Sequence, residues 1–160
     1  MGLESSDDLS SEQEFEALAN NANSWKRVVA WVDETRDDLY RFKHEFEQHF
    51  NLKFTLFYYI LTHVFLMIDS RAKNMMMATW DDKIWYPILY DMDTMLGLNN
   101  FGFNKFYYSI EDTAANVFNS YNSTFWNNFR SAFKEEIDKY YDEMTQKGFN
   151  ATSILTRYND

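Results

Sequence analysis

The 160-residue chain contains no cysteine, which excludes disulfide staples and every zinc site built on thiolates and leaves the redox compartment unmarked. Glycine occurs four times, as Gly2, Gly97, Gly102 and Gly148, so no G-x-G-x-x-G phosphate loop can be assembled. No G-x-S-x-G hydrolase elbow and no H-E-x-x-H zinc helix occurs either. Basic residues are also scarce: 15 Lys and Arg stand against 25 Asp and Glu, giving a net charge of −10. The first base is Lys26, after Glu4, Asp7, Asp8, Glu12, Glu14 and Glu16. Such a balance repels phosphate backbones and anionic bilayers, which argues against nucleic acid and membrane surfaces as main partners. It does not bar a nucleotide whose phosphates are bridged by Mg²⁺.

Long apolar runs are missing too. The most apolar stretch, residues 52 to 68, is about 17 residues, the lower limit for a membrane span, and carries Lys53 and His63 internally. A buried core helix is the better reading, and no membrane span is expected. The first residues lack the basic and apolar regions of a secretory signal. Gly2 has Glu4, Asp7 and Asp8 for neighbours, which gives a myristoyl anchor no polybasic support.

What the chain has in plenty is aromatic surface: 15 Phe, 11 Tyr and 5 Trp, enough for the core of one domain. Residues 1–23, acidic and rich in Ser and Asn, read as a flexible arm. Residues 24–148 read as a helical domain, and 149–160 as a C-terminal extension. Ser24 is placed to cap a helix carrying Trp25, Val28, Val29, Val32, Leu39, Phe42, Phe46 and Phe50 on one side. Asn51 breaks that pattern and the apolar helix follows.

The period then changes. "MMMATW", "DDK" and "IWYPILY" read as strand, tight turn, strand, with Ile84, Tyr86 and Ile88 on one face and Trp85 and Leu89 on the other. Pro87 marks an edge position or a bulge. Residues 94–123 read as irregular, with one short strand at "FNKFYYSI". Ser123 caps a further helix through Trp126, Phe129, Phe133, Ile137, Tyr140 and Met144, which Gly148 stops, and a helix-like fragment closes the chain. The expected class is α+β, mostly helical: two core helices, a small β-hairpin and a C-terminal helix.

The chemistry-bearing residues cluster around the hairpin. "DSRAKN", residues 69–74, places Asp69 and Asn74 in the D-x-x-x-x-N spacing of a protein-kinase catalytic loop. There the acid takes the proton of the acceptor hydroxyl and the amide holds Mg²⁺. Asp91 or Asp93 in "YDMDT", after the hairpin, stands where a second metal-binding acid is needed. Mg²⁺ prefers hard oxygens in an octahedron, so one carboxylate and one amide leave room for water and phosphate. Lys73 or Arg71 can offset phosphate charge. A plainer reading has Asp69 ending a helix, Asn74 satisfying a turn, and Asp91 and Asp93 pairing with Arg71 and Lys73. His44, His49 and His63 read as surface or satisfied core histidines, and Met75 to Met77 as core filling.

"IDSRAKN" followed by "WYPILYDMDTMLG" resembles the C-terminal lobe of the CotH family of atypical, spore-coat-type protein kinases. That resemblance implies Asp69 as the catalytic acid if the site is active, with Asn74 and Asp91 or Asp93 as metal ligands. It implies Mg²⁺ and ATP as the cofactors of an intact site, with Lys73 a weaker phosphate contact. A longer stretch, about residues 50–147, is similar to a region of large bacteriophage structural proteins of the tail that carry the same kinase-like module. The leading expectation is therefore a virion component, assembled in the host cytoplasm and working by packing against other virion subunits or the rest of a longer parent chain. The rival is a Mg²⁺-dependent phosphotransferase half-site whose nucleotide lobe comes from elsewhere, since no glycine-rich loop or lysine-bearing strand precedes the helices. A host-interaction module acting through the acidic arm is the third expectation. The structural module tolerates its acids tied up with Arg71 and Lys73, whereas the enzyme needs them to converge.

Overall fold

The computed structural model describes residues 11–67, 70–71, 74–92, 94–96, 98 and 123–159. The first helix, α1 (Ser11–Glu34), begins well before Trp25. Residues 11–23, expected within a flexible arm, are helical: they hold Glu, Gln, Leu and Ala, which are strong helix formers, and their acids complement a helix N-terminus. Ser24 therefore lies inside the helix and caps nothing. It is 1% exposed, and its hydroxyl donates to the Asp82 carbonyl at 2.5 Å and accepts from the Trp85 indole N–H at 3.1 Å. A residue expected to start a helix instead pins the hairpin turn to α1.

The helix expected to run on to Phe50 is interrupted after Glu34. The Thr35 hydroxyl bonds back to the Trp31 carbonyl at 2.7 Å, and the Asp38 carboxylate receives the Arg41 N–H at 2.9 Å, starting α2 (Leu39–Glu45). A 3-10 turn at Phe46–Gln48 follows. Asn51 then caps α3 (Leu52–Val64), its side-chain oxygen accepting the Phe54 N–H at 2.9 Å.

Strands β1 (Met76–Thr79) and β2 (Trp85–Ile88) form an antiparallel hairpin that pairs Met76 with Ile88, Met77 with Pro87, Ala78 with Tyr86 and Thr79 with Trp85. Its turn is closed by the Asp81 carboxylate, which accepts the N–H groups of Lys83 and Ile84 at 3.0 and 2.9 Å. Trp85 and Pro87 face inward and Ile88 outward, the alternation expected from a period of two. On its other side β2 is bridged at Trp85, whose N–H bonds the His49 carbonyl at 2.8 Å and whose carbonyl takes the Asn51 N–H at 3.1 Å. Pro87 lies beyond that bridge, where the missing N–H leaves no gap in a ladder.

Ser123 caps α4 (Thr124–Ala132) with a long bond of 3.4 Å to the Trp126 N–H. The helix expected as far as Gly148 is divided at Phe133, whose φ of −114° and ψ of 24° separate α4 from α5 (Lys134–Gln146). Gly148, at φ +100°, ends α5 in a Schellman arrangement, with the Phe149 N–H on the Met144 carbonyl at 2.9 Å and the Gly148 N–H on the Thr145 carbonyl at 3.1 Å. Helix α6 (Ala151–Asn159) follows. The strand expected at 103–110 lies outside the described residues.

The core is aromatic. Phe42, Phe46, Phe129 and Phe133 are no more than 2% exposed. The Phe46 ring centroid lies 4.9 Å from Phe133, 5.3 Å from Phe50 and Phe129, and 5.6 Å from Phe42. The two interruptions let α2 and the 3-10 turn fold back across α4, so rings from four segments meet. The observed class is α+β and mostly helical, as expected. Among the described residues no helix is long and apolar enough to cross a membrane.

Candidate functional site

The segment between α3 and β1 is held from both flanks. At the end of α3 the chain turns through Leu66, at φ 50°, and the Met67 N–H bonds the Thr62 carbonyl at 2.9 Å. Ser70 is 2% exposed, and its carbonyl accepts the Tyr58 hydroxyl. Burial pushes the Tyr58 phenol well above its ordinary range, with Arg71 opposing, so it remains a hydrogen-bond donor at any physiological pH.

Arg71 is 5% exposed, with its guanidinium carbon 4.7 Å from the centroid of the Tyr59 ring and 5.9 Å from that of Trp126. The same indole donates its N–H to the Met75 sulfur at 3.3 Å and stacks on Tyr58 at 5.9 Å, 14° from parallel. Arg71, weighed in the sequence as an ion-pair partner for Asp91 or Asp93, is packed among rings of α3 and α4, and Asp93 lies outside the described residues.

Asn74 follows, 9% exposed. Its side-chain Nδ2 donates to Asp91 Oδ2 at 2.9 Å. Asp91 leaves β2 in the left-handed region, at φ 50°, a conformation that aspartate tolerates better than most residues. It is solvent-exposed. Beyond it Thr94 is 3% exposed, and the Leu96 N–H reaches back to the Phe65 carbonyl at 2.7 Å. The hairpin brings together two residues 17 positions apart, and the Leu96 bond ties the outgoing chain to the end of α3.

Of the residues expected at the site, the structure describes Asn74 and Asp91 and joins them. Asp69, Lys73 and Asp93 lie outside the described residues. Cation chemistry fits the pair: the hydrogen bond uses Nδ2 and Oδ2, and the amide and the carboxylate each carry a further hard oxygen, Oδ1, of the type Mg²⁺ prefers. Among the described residues no group of three or more His, Cys, Asp or Glu could hold a metal. The amide bond also narrows the rotamers of both side chains, so less ordering is left for an ion to impose.

The histidines stack on rings elsewhere: His44 on Tyr40 at 3.8 Å, His49 on Trp31 at 4.4 Å and His63 on Tyr59 at 6.1 Å. Two clefts, of about 590 and 620 Å³, are formed around α1 and between α3 and α5, and neither is lined by Asn74 or Asp91. Of the pair, Asp91 is the solvent-exposed member and Asn74 the buried one. Sequence reading missed Tyr58, Tyr59, Trp126 and Met75 as supports of the loop. The only signal of the three rings was an aromatic residue on a buried helical face, the same as for any core ring, and Met75 read as core filling.

The sequence profile of the CotH kinase protein family matches residues 2–160. No curated protein and no solved structure matches the chain.

Proposed function

The chain belongs to the CotH kinase family, and from that premise we propose that it works as the metal- and phosphate-handling lobe of a Mg²⁺-dependent phosphotransferase. The observation that carries this reading is the Asn74–Asp91 contact of 2.9 Å. A buried neutral amide and a solvent-exposed carboxylate, brought together from opposite sides of a hairpin, suit one divalent cation bridged to phosphate. Bound there, Mg²⁺ would neutralise charge on the transferring phosphoryl group. Asn74 and Asp91 would hold and orient it. Asp69 would take the proton of the acceptor hydroxyl, Lys73 would face the phosphate, and Asp93 is the alternative metal ligand; these three roles follow from spacing and family resemblance. The adenine and ribose of ATP would be met by a further lobe, from a second chain or a longer product, because the four glycines of this chain form no phosphate loop.

A second reading keeps the lobe but gives it a packing role in a bacteriophage virion, in the tail, assembled in the host cytoplasm. Its support is the aromatic surface of the hairpin. Trp80 is 80% exposed and Tyr90 53%, and Trp80 meets Tyr86 edge-on at 4.7 Å, which in turn meets Phe54 at 5.8 Å. Such a ridge suits a subunit interface, where aromatic side chains are enriched.

Calorimetry of Mg²⁺–ATP binding, on this chain and on its native assembly, separates the two. Saturable binding that weakens at least about tenfold in Asp91→Ala and in Asn74→Ala supports the phosphotransferase lobe, a loss in line with removing a metal ligand or its orienting partner. Absence of binding in both preparations would sink it and leave the packing role.

A further inference from the structure

We propose that Trp126 is a positioning residue for the Asn74–Asp91 pair, acting through Arg71 and Met75. Its functional consequence rests on the reading above, while its structural claim stands by itself. The indole touches the loop on both sides of Asn74. Its ring lies 5.9 Å from the Arg71 guanidinium, three residues before Asn74, and its N–H bonds the sulfur of Met75, the residue after, at 3.3 Å. Tyr58, stacked on the same indole at 5.9 Å, holds the Ser70 carbonyl through its hydroxyl. Tyr59 covers Arg71 from α3 at 4.7 Å.

The loop therefore has two fixed points, at 71 and 75, both fastened to one side chain of α4. Asn74 sits between them with its side chain turned to Asp91. A buried guanidinium held between rings cannot slide without losing cation–π contact and uncovering a charge. The clamp thus fixes the chain at residues 71 and 75, on either side of Asn74. α4 itself is anchored in the aromatic core, with Phe125 4.8 Å from Phe50 and Phe129 5.3 Å from Phe46. The position of α4 is thereby transmitted to the pair through Arg71 and Met75.

A purely structural role for Trp126 predicts something different: substitution would lower stability and leave Asn74 on Asp91. The deciding measurement is the side-chain amide signal of Asn74 in ¹⁵N-labelled chain, assigned by its loss in Asn74→Ala. In Trp126→Leu and in Arg71→Met the signal is expected to move to the position of a solvated carboxamide, with faster exchange. Arg71→Lys, which keeps a cation under the rings, restores part of the original shift. Mn²⁺, used as the probe ion, is expected to bind about tenfold to a hundredfold more weakly to Trp126→Leu, the usual effect of removing the support of a ligand. If Trp126→Leu does not fold, Arg71→Met carries the same test.

An unmoved Asn74 signal in a folded variant with a lowered unfolding midpoint overturns the proposal. If Mn²⁺ binds neither wild type nor variants, the phosphotransferase reading fails, and the amide signal still decides whether Trp126 positions the pair.

Discussion

His49 shows how far a single residue departs from what its letter suggests. The sequence places it in a charged helical stretch, yet the fold lays its ring on Trp31 at 4.4 Å and uses its carbonyl to bridge β2. Burial lowers its pKa below the ordinary 6.5; Glu45 opposes that shift, while Arg27 and Arg41 add to it. The unfolded chain then takes up this proton at a higher pH than the folded one. Above 6.5 the residue has no effect on stability; as pH falls from 6.5 through the lowered value, stability is lost, and below that value the loss is constant. An NMR titration of the imidazole is expected to give a midpoint under 6.5, and a midpoint at or above it would mean that Glu45 outweighs burial. Asn74 and Asp91 were singled out by residue type and spacing, and the fold brings their side chains together at 2.9 Å. Arg71 was not legible in its true place, since nothing in "DSRAKN" reveals that rings from residues 59 and 126 will close over it.

Elements were legible where they end and less so where they bend. Asn51, Ser123 and Gly148 are found at the helix boundaries that their side chains or backbone freedom suggested. The breaks at Thr35–Asp38 and at Phe133 were not seen, because Val28, Val32, Leu39 and Phe42 keep helical spacings of four, seven and three across the first break and Phe129, Phe133 and Ile137 keep a spacing of four across the second. Periodicity reports which side chains share a core; it is silent on whether the helix axis continues between them. The caps also differ in strength. Asn51 accepts its N–H at 2.9 Å and Ser123 at 3.4 Å, the latter beyond the usual range for such a bond. Asn51→Ala is therefore expected to lower unfolding free energy by about 1 kcal/mol, and Ser123→Ala by roughly half of that or less, in urea titrations followed by circular dichroism. Equal losses would show that the two caps are equivalent in solution and that the longer bond tightens there.

At the scale of the whole molecule the governing quantity is the net charge of −10. The ion pairs include Arg36–Asp33, Arg41–Glu34 and Lys134–Asp138, all well exposed, and pairs of that kind contribute on the order of 0–1 kcal/mol each. The excess acid repels over longer distances, and salt screens those distances first, with a Debye length of about 8 Å at physiological ionic strength. Added NaCl is thus expected to raise the thermal midpoint. Mg²⁺ would do so as well, merely by collecting on an acidic surface, and this would imitate a site. Matching ionic strength removes the ambiguity. With NaCl alone, wild type and Asp91→Ala should gain about equally. With MgCl₂ at the same ionic strength, wild type alone should gain more, by about 1.4 kcal/mol when free Mg²⁺ is ten times its dissociation constant. An equal gain in both proteins would mean that the acidic surface as a whole takes up the ion, and that the Asn74–Asp91 contact is a hinge pin for the hairpin rather than a seat for metal.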